Sequence, residues 1–181
     1  MVLVWRSAIL RQYTRTTKML INYKHEIRMI MSIKPHDKKE VLFLCTHNSA
    51  RSQMAEGLLR TIYGGRYDAY SAGVTATFVD PRAVLVMKEI GIDISGQYSK
   101  SAEEFHDTIF DLAVSVCDRA KQACPICSTQ LEFPAKSPKA REVIHRSFED
   151  PAQAGDSEEE QLKVFRRVRD DIREWIIHTF E

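Results

Sequence analysis

No stretch of this sequence approaches the roughly 20 consecutive apolar residues that a bilayer-spanning helix requires, and no apolar core with a small-residue cleavage site stands near its start. These absences argue against a membrane or secretory destination. Excess charge is missing too: 26 lysines and arginines face 25 acids, a formal charge of +1, so the broad positive field that nucleic acid binding draws on is not there. Internal repeats and low-complexity segments are also lacking. What remains is a chain of 181 residues, 44% hydrophobic and 28% charged, which suits one globular domain with a core. Cysteine is scarce, with four in all, at 45, 117, 124 and 127. Four thiols can close two structural disulfides in an oxidising compartment, but in a cytosolic chain they point to metal binding or redox catalysis. Their positions must decide.

Residues 1–37 differ from the rest: basic residues stand at 6, 11, 15, 18, 24, 28 and 34, with Glu26 and Asp37 the only acids. Such a leader is either a transit peptide or sequence upstream of the true start, with Met29 or Met31 as initiator. The upstream start is the favoured expectation, leaving residues 38–181 as the folded domain.

From Val41 the pattern changes. Val41 to Leu44 is an apolar run of strand length, as in a strand buried on both faces, and it leads straight into Cys45-Thr46-His47-Asn48-Ser49-Ala50-Arg51-Ser52. Met54, Ala55, Leu58, Leu59 and Ile62 then recur at helical spacing until Gly64-Gly65. Tyr67 to Ser71 suits a second strand. Asp80-Pro81 to Ile90 predicts a capped helix with Gly91 past its end, and Phe110 to Val116 a further buried strand ending at Cys117. Val143 to His145 suits a short fourth strand. Ser157 with Glu160 forms a capping box ahead of an apolar stripe through Phe165, Val168, Ile172, Trp175 and Ile176. The alternation predicts an α/β fold, a doubly wound four-stranded parallel sheet with helices on both faces.

Cys45, five intervening residues and Arg51-Ser52 carry the strongest chemical signal, because they lie between a buried strand and the first turn of a helix. A loop entering a helix N-terminus aims backbone N–H groups at one centre, and the helix dipole adds positive charge there, which suits a tetrahedral oxyanion. Arg51 can add a bidentate fork. A cysteine of ordinary pKa is only about 3% thiolate at neutral pH, so a nucleophilic Cys45 needs such a setting. Ser52 can donate to the sulfur, and Asn48 can brace the loop. The rival interpretation makes Cys45 a structural cysteine at a strand end and Arg51 a solvated charge. His47 either lines the entrance or occupies a left-handed backbone position, which histidine tolerates.

At these residues the chain resembles the low-molecular-weight tyrosine phosphatase superfamily, and more closely its thioredoxin-coupled arsenate reductases. The resemblance spans residues 40–181 and rests on five ordered blocks: CTHNSARSQMAEG from Cys45 to Gly57, Tyr70 to Gly73, MKEIGIDIS from Met87 to Ser95, Cys117-Asp118 with Cys124-Pro125, and Phe148 to Ala152. It implies an anion site of Thr46, His47, Asn48, Ser49, Ala50, Arg51 and Ser52, with Cys45 as nucleophile and Asp150, held by Pro151, as general acid. Arsenate is the implied substrate, phosphate its analogue, and thioredoxin the source of electrons, in a cytoplasmic monomer without a bound cofactor.

A phosphatase has no need of thiols at 117, 124 and 127. Reducing arsenate takes two electrons, which a pair of cysteines supplies by closing a disulfide. The resemblance implies that Cys117 resolves the Cys45 adduct and that Cys124 moves the disulfide outward, with Cys127 as the alternative exchanging thiol. Cys124-Pro125-Ile126-Cys127 also has the spacing of a zinc half-site, but no second pair completes one, so no metal is expected.

Two departures stand out. The related enzymes often hold potassium beside the loop with residues matching Asn48, Glu56 and Ser71 plus an acid, and Lys100 stands in the acid's place. Its ammonium would repel the ion, so no potassium dependence is expected. The link from Ser128 to Arg141 is longer than usual. Two other functions stay open: a tyrosine phosphatase with idle extra thiols, opposed by Ala50 and Ala152 where those enzymes carry a cysteine and an aromatic, and a non-catalytic anion or metal sensor.

Overall fold

The computed structural model describes residues 38–118, 138–153 and 157–181. The extension 1–37, Cys124, Cys127 and most of the long link that follows them lie outside the described residues.

Four strands, β1 (Lys39–Cys45), β2 (Tyr67–Gly73), β3 (Ile109–Ser115) and β4 (Lys139–His145), form one parallel sheet in the order β2-β1-β3-β4. The apolar run of β1 takes a central position, where both faces need cover, and Val41 to Leu44 are fully buried. Alternation then splits the strand between two layers. Val41, Phe43 and Cys45 pack under three helices, α1 (Arg51–Tyr63), α2 (Pro81–Glu89) and α3 (Glu158–Phe180), through Met54, Leu58, Val86, Met87, Phe165, Ile172 and Ile176. Each fully buried Phe, Leu or Ile contributes about 1.5–3 kcal/mol. Leu42 and Leu44 meet Phe110 and Ala113 on the opposite face. There Phe105, from a short 3-10 turn (Ala102–Phe105), joins Tyr70 and Phe110 in an edge-to-face trio with centroids 5.5 to 6.0 Å apart. Among the described residues the α-helices thus share one face, and a 3-10 turn covers the other.

Local signals end the helices largely where the sequence places them. Asp80 accepts from the Arg82 amide ahead of α2, and Gly91 takes φ 78° past its end, a left-handed conformation that glycine adopts without penalty. Ser157 and Glu160 form a reciprocal capping box on α3. Gly64 ends α1 in the right-handed region, at φ −60°. The fourth strand is longer than Val143 to His145: it begins at Lys139, and its exposed edge residues Arg141, Glu142 and Val143 carry no burial pattern that would reveal it.

The chain leaves β1 for one side of the sheet and returns through β3 on the other. Cys45 closes β1, and Cys117 lies two residues past β3 on the same edge. In open parallel sheets the crevice at such a reversal is where ligands gather.

Candidate active site

The loop after Cys45 is held from outside by its carbonyls. The amides of Val74, Thr75, Thr77 and Asp80 donate to the carbonyls of Cys45, Thr46, His47 and Ser49 at 3.2, 2.8, 3.3 and 2.9 Å, and Ser99 Oγ donates to the His47 carbonyl at 3.0 Å. In a trans peptide the following N–H points the opposite way, so carbonyls anchored outward turn the loop amides inward. The Asn48 amide shows the outcome, donating to Cys45 Sγ at 3.0 Å. Ala50 precedes α1 with no side-chain cap, which leaves first-turn amides without a side-chain partner at the positive end of the helix. Gly73 lets the loop pass: a Cβ there would lie 2.8 Å from the Asn48 nitrogen and the His47 carbonyl carbon.

The left-handed residue is Asn48, at φ 50°, not His47. Among the described residues Asn48 alone of the non-glycines has positive φ, a conformation asparagine tolerates because its short amide bonds locally. His47 is exposed at the rim. The Asn48 amide orientation follows from its partners. Its Oδ1 accepts from the backbone N–H of Lys100 at 2.7 Å, a group that can only donate, so Nδ2 is the side that meets Ser52 Oγ at 2.9 Å and Ser71 Oγ at 2.8 Å. Ser52 therefore accepts from Asn48, and its own proton is available to Cys45 Sγ, 2.9 Å away. Two donors thus point at the sulfur.

Ser71, likewise an acceptor from Asn48, donates to Glu56 Oε2. Glu56 is 3% exposed, and Lys100, 6% exposed, places Nζ 3.4 Å from the same oxygen and 3.0 Å from the Tyr98 carbonyl, over the Tyr98 ring. Arg60 takes Oε1 at 2.6 Å. Glu56 thus meets two basic groups, Lys100 at Oε2 and Arg60 at Oε1.

Arg51 and Asp150 close the mouth of the loop. Arg51 Nη2 donates to Asp150 Oδ2 at 2.8 Å and Nη1 to the Phe148 carbonyl at 3.1 Å. Pro151 opens a short 3-10 turn (Pro151–Gln153), and the Ala152 amide donates to Asp150 Oδ1 at 3.2 Å. Beside them Cys117, 3% exposed, has Sγ 3.4 Å from Thr46 Oγ1. Thr46, Arg51, Cys117, Asp118, Phe148 and Asp150 share one cleft of about 470 Å³. Of the candidates, Thr46, Arg51, Cys117 and Asp150 therefore converge on one cleft.

Some site residues escape a reading of the sequence. Gln53 is fully buried in α1 and donates to Asn48 Oδ1 at 2.8 Å and to the Tyr98 carbonyl at 2.9 Å. A glutamine among the buried residues of the first turn was its only signal. The Thr46 to Cys117 contact joins positions 71 apart and has no local signature.

The family model of the low molecular weight phosphotyrosine protein phosphatase matches residues 40–180. An arsenate reductase of Halalkalibacterium halodurans is 46% identical over 136 residues, 75% of this chain and 91% of that one. One of Bacillus subtilis is 42% identical over 136 residues, again 75% and 91% of the two chains. Among solved structures, an arsenate reductase in the oxidized state superposes with TM-score 0.62 at 34% identity, covering 77% of this chain and 95% of that one. A low molecular weight protein tyrosine phosphatase from T. tengcongensis does so with TM-score 0.60 at 28% identity, covering 79% and 98%. Loop, sheet and relatives agree that this chain belongs to the low molecular weight phosphotyrosine protein phosphatase family.

Proposed function

We propose that the chain reduces arsenate to arsenite by a thiol–disulfide relay. The observation that carries this reading is Cys117, buried in the cleft beside Thr46 and the Cys45 loop, where a phosphatase needs no second thiol. The arsenate reductases among its relatives support the choice.

The Cys45 thiolate attacks arsenic in an anion held by the loop amides and Arg51, and Asp150 gives a proton to the oxygen that leaves as water. A Cys45–arsenic adduct results. The Cys117 thiolate then attacks the Cys45 sulfur. As the sulfur–sulfur bond forms the sulfur–arsenic bond breaks, and its electron pair stays on arsenic, which leaves as arsenite, reduced by two electrons. Cys124, with Cys127 as the alternative, attacks Cys117 and frees Cys45, and an external dithiol of the thioredoxin type reduces the remaining disulfide. We assign the work to a cytoplasmic monomer without bound cofactor, in which Lys100 stands where a potassium ion would otherwise sit.

Phosphomonoester hydrolysis is the second reading, favoured by the complete set of Cys45, Arg51 and Asp150 and by the family itself. Thioredoxin-coupled consumption of reducing equivalents with arsenate separates the two. Reductase turnover lost in Cys117→Ser and Cys124→Ser, with phosphatase activity retained, supports the relay; normal arsenate turnover in the double variant rejects it.

A further inference from the structure

His145 lies outside the chemistry assigned so far, yet its ring joins the two residues that bracket Cys117. Register sets the first contact: β3 and β4 pair Ser115 with His145, and Ser115 Oγ lies 2.8 Å from Nδ1. Across the ring, Nε2 lies 3.1 Å from Oδ1 of Asp118. A carboxylate can only accept, so Nε2 carries a proton, and the neutral Nε2–H tautomer can accept from Ser115 while donating to Asp118. Ser115 is fully buried and His145 a quarter exposed, which makes the strand side of this bridge rigid. Backbone bonds hold the intervening residue as well: the Val116 amide donates to the Leu44 carbonyl at 2.8 Å, and the Phe148 amide to the Val116 carbonyl at 3.2 Å. Asp118, the residue after Cys117, is thereby tied back to β4 by its carboxylate.

We infer that His145 is a positioning residue for the resolving thiol: by clamping Asp118 to Ser115 it holds Cys117 in its buried place beside Thr46, aimed at the cleft above Cys45. The inference rests on the proposed reduction for its consequence but not for its geometry. It separates His145 from the anion loop, because neither Ser115 nor Asp118 belongs to that loop. Breaking the clamp leaves anion binding and the first attack intact, and impairs the step in which Cys117 must meet the Cys45 sulfur.

Two readouts test it on the full chain. Iodoacetamide labelling, followed residue by residue with mass spectrometry, reports how well Cys117 is held. His145→Ala and Asp118→Ala each raise its labelling rate by about tenfold, the scale of one lost hydrogen bond in the clamp, and the double variant adds little. His145→Gln, whose amide can still donate to Asp118, restores much of the protection. Single-turnover formation of the Cys45–Cys117 disulfide with arsenate slows by about tenfold in the same alanine variants, while hydrolysis of p-nitrophenyl phosphate by His145→Ala, which does not line the cleft, stays within about twofold. Asp118 is exposed, so its alanine variant folds even if the His145 variant does not. Unchanged labelling in Asp118→Ala overturns the inference. So does raised labelling with an unchanged disulfide rate, or a parallel fall in the phosphatase activity of His145→Ala. Should the wild-type protein form no such disulfide with arsenate, the reductase reading fails, and the labelling still decides whether the clamp exists.

Discussion

Arg51 grips Asp150 across the mouth of the anion loop, Nη2 to Oδ2 at 2.8 Å, with the arginine side chain 11% and the aspartate 30% exposed. The guanidinium that an oxyanion in the loop would recruit is thus shared with the candidate proton donor. Asp150→Asn keeps the shape and removes the competing charge. Turnover is predicted to fall by about 10²–10⁴, the usual worth of a general acid, while phosphate binding measured by calorimetry holds or tightens. Arg51→Lys keeps the charge but loses the fork, so it weakens phosphate binding as well as turnover.

Gly73 is predicted to be intolerant of any side chain. A methyl group at 2.8 Å from two backbone atoms of the loop forces the loop, not a flexible side chain, to move. Gly73→Ala should cost about 1–3 kcal/mol in urea unfolding and abolish phosphate binding. Stability unchanged from wild type would show that the loop is less tightly set against β2 than these distances imply.

Lys100→Met removes the ammonium beside Glu56 and opens the cluster of Glu56, Ser71 and Asn48 to a small cation. The wild-type protein should turn over equally in potassium and choline chlorides. The variant should lose activity in choline and regain part of it in potassium. Strong potassium stimulation of the wild type would contradict the role given to Lys100.

Glu89 ties α2 to α3 through three hydrogen bonds from Arg166 at 2.7 to 3.1 Å and a weaker contact with Arg169. Its pKa is lowered from 4.5, chiefly by the bonds from Arg166 and then by the charges of both arginines. A depressed carboxylate pKa stabilises the fold above the unfolded value and loses that contribution as pH falls through the folded one. The pair is open to solvent, so the effect is small. Glu89→Gln should be slightly less stable than wild type at neutral pH, and the gap should close below about pH 4, as followed by urea unfolding at several pH values.

The sequence makes β1, the loop and α1 plain because an apolar run, a Cys-x5-Arg spacing and a helical stripe sit in one continuous segment. Elsewhere the signals thin out. Lys139 to Glu142 join β4 at an exposed edge, where nothing forces an apolar pattern. Exchange of the left-handed position between His47 and Asn48 turns on how one amide bonds with Lys100, Ser52 and Ser71, three partners from separate parts of the chain. The His145 bridge arises from the register of β3 with β4, which no local spacing reveals. Cys124 and Cys127 are prominent in the sequence and lie outside the described residues.

The central claim is that Cys45 and Cys117 together deliver two electrons to arsenic. A single turnover of the fully reduced protein with excess arsenate and no external reductant tests it most directly, counting arsenite released and locating the cysteines oxidised. The account predicts about one arsenite per protein molecule, two thiols lost, and a Cys45–Cys117 disulfide trapped when Cys124 and Cys127 are replaced by serine. Phosphoester hydrolysis with no arsenite formed and all thiols intact would contradict it.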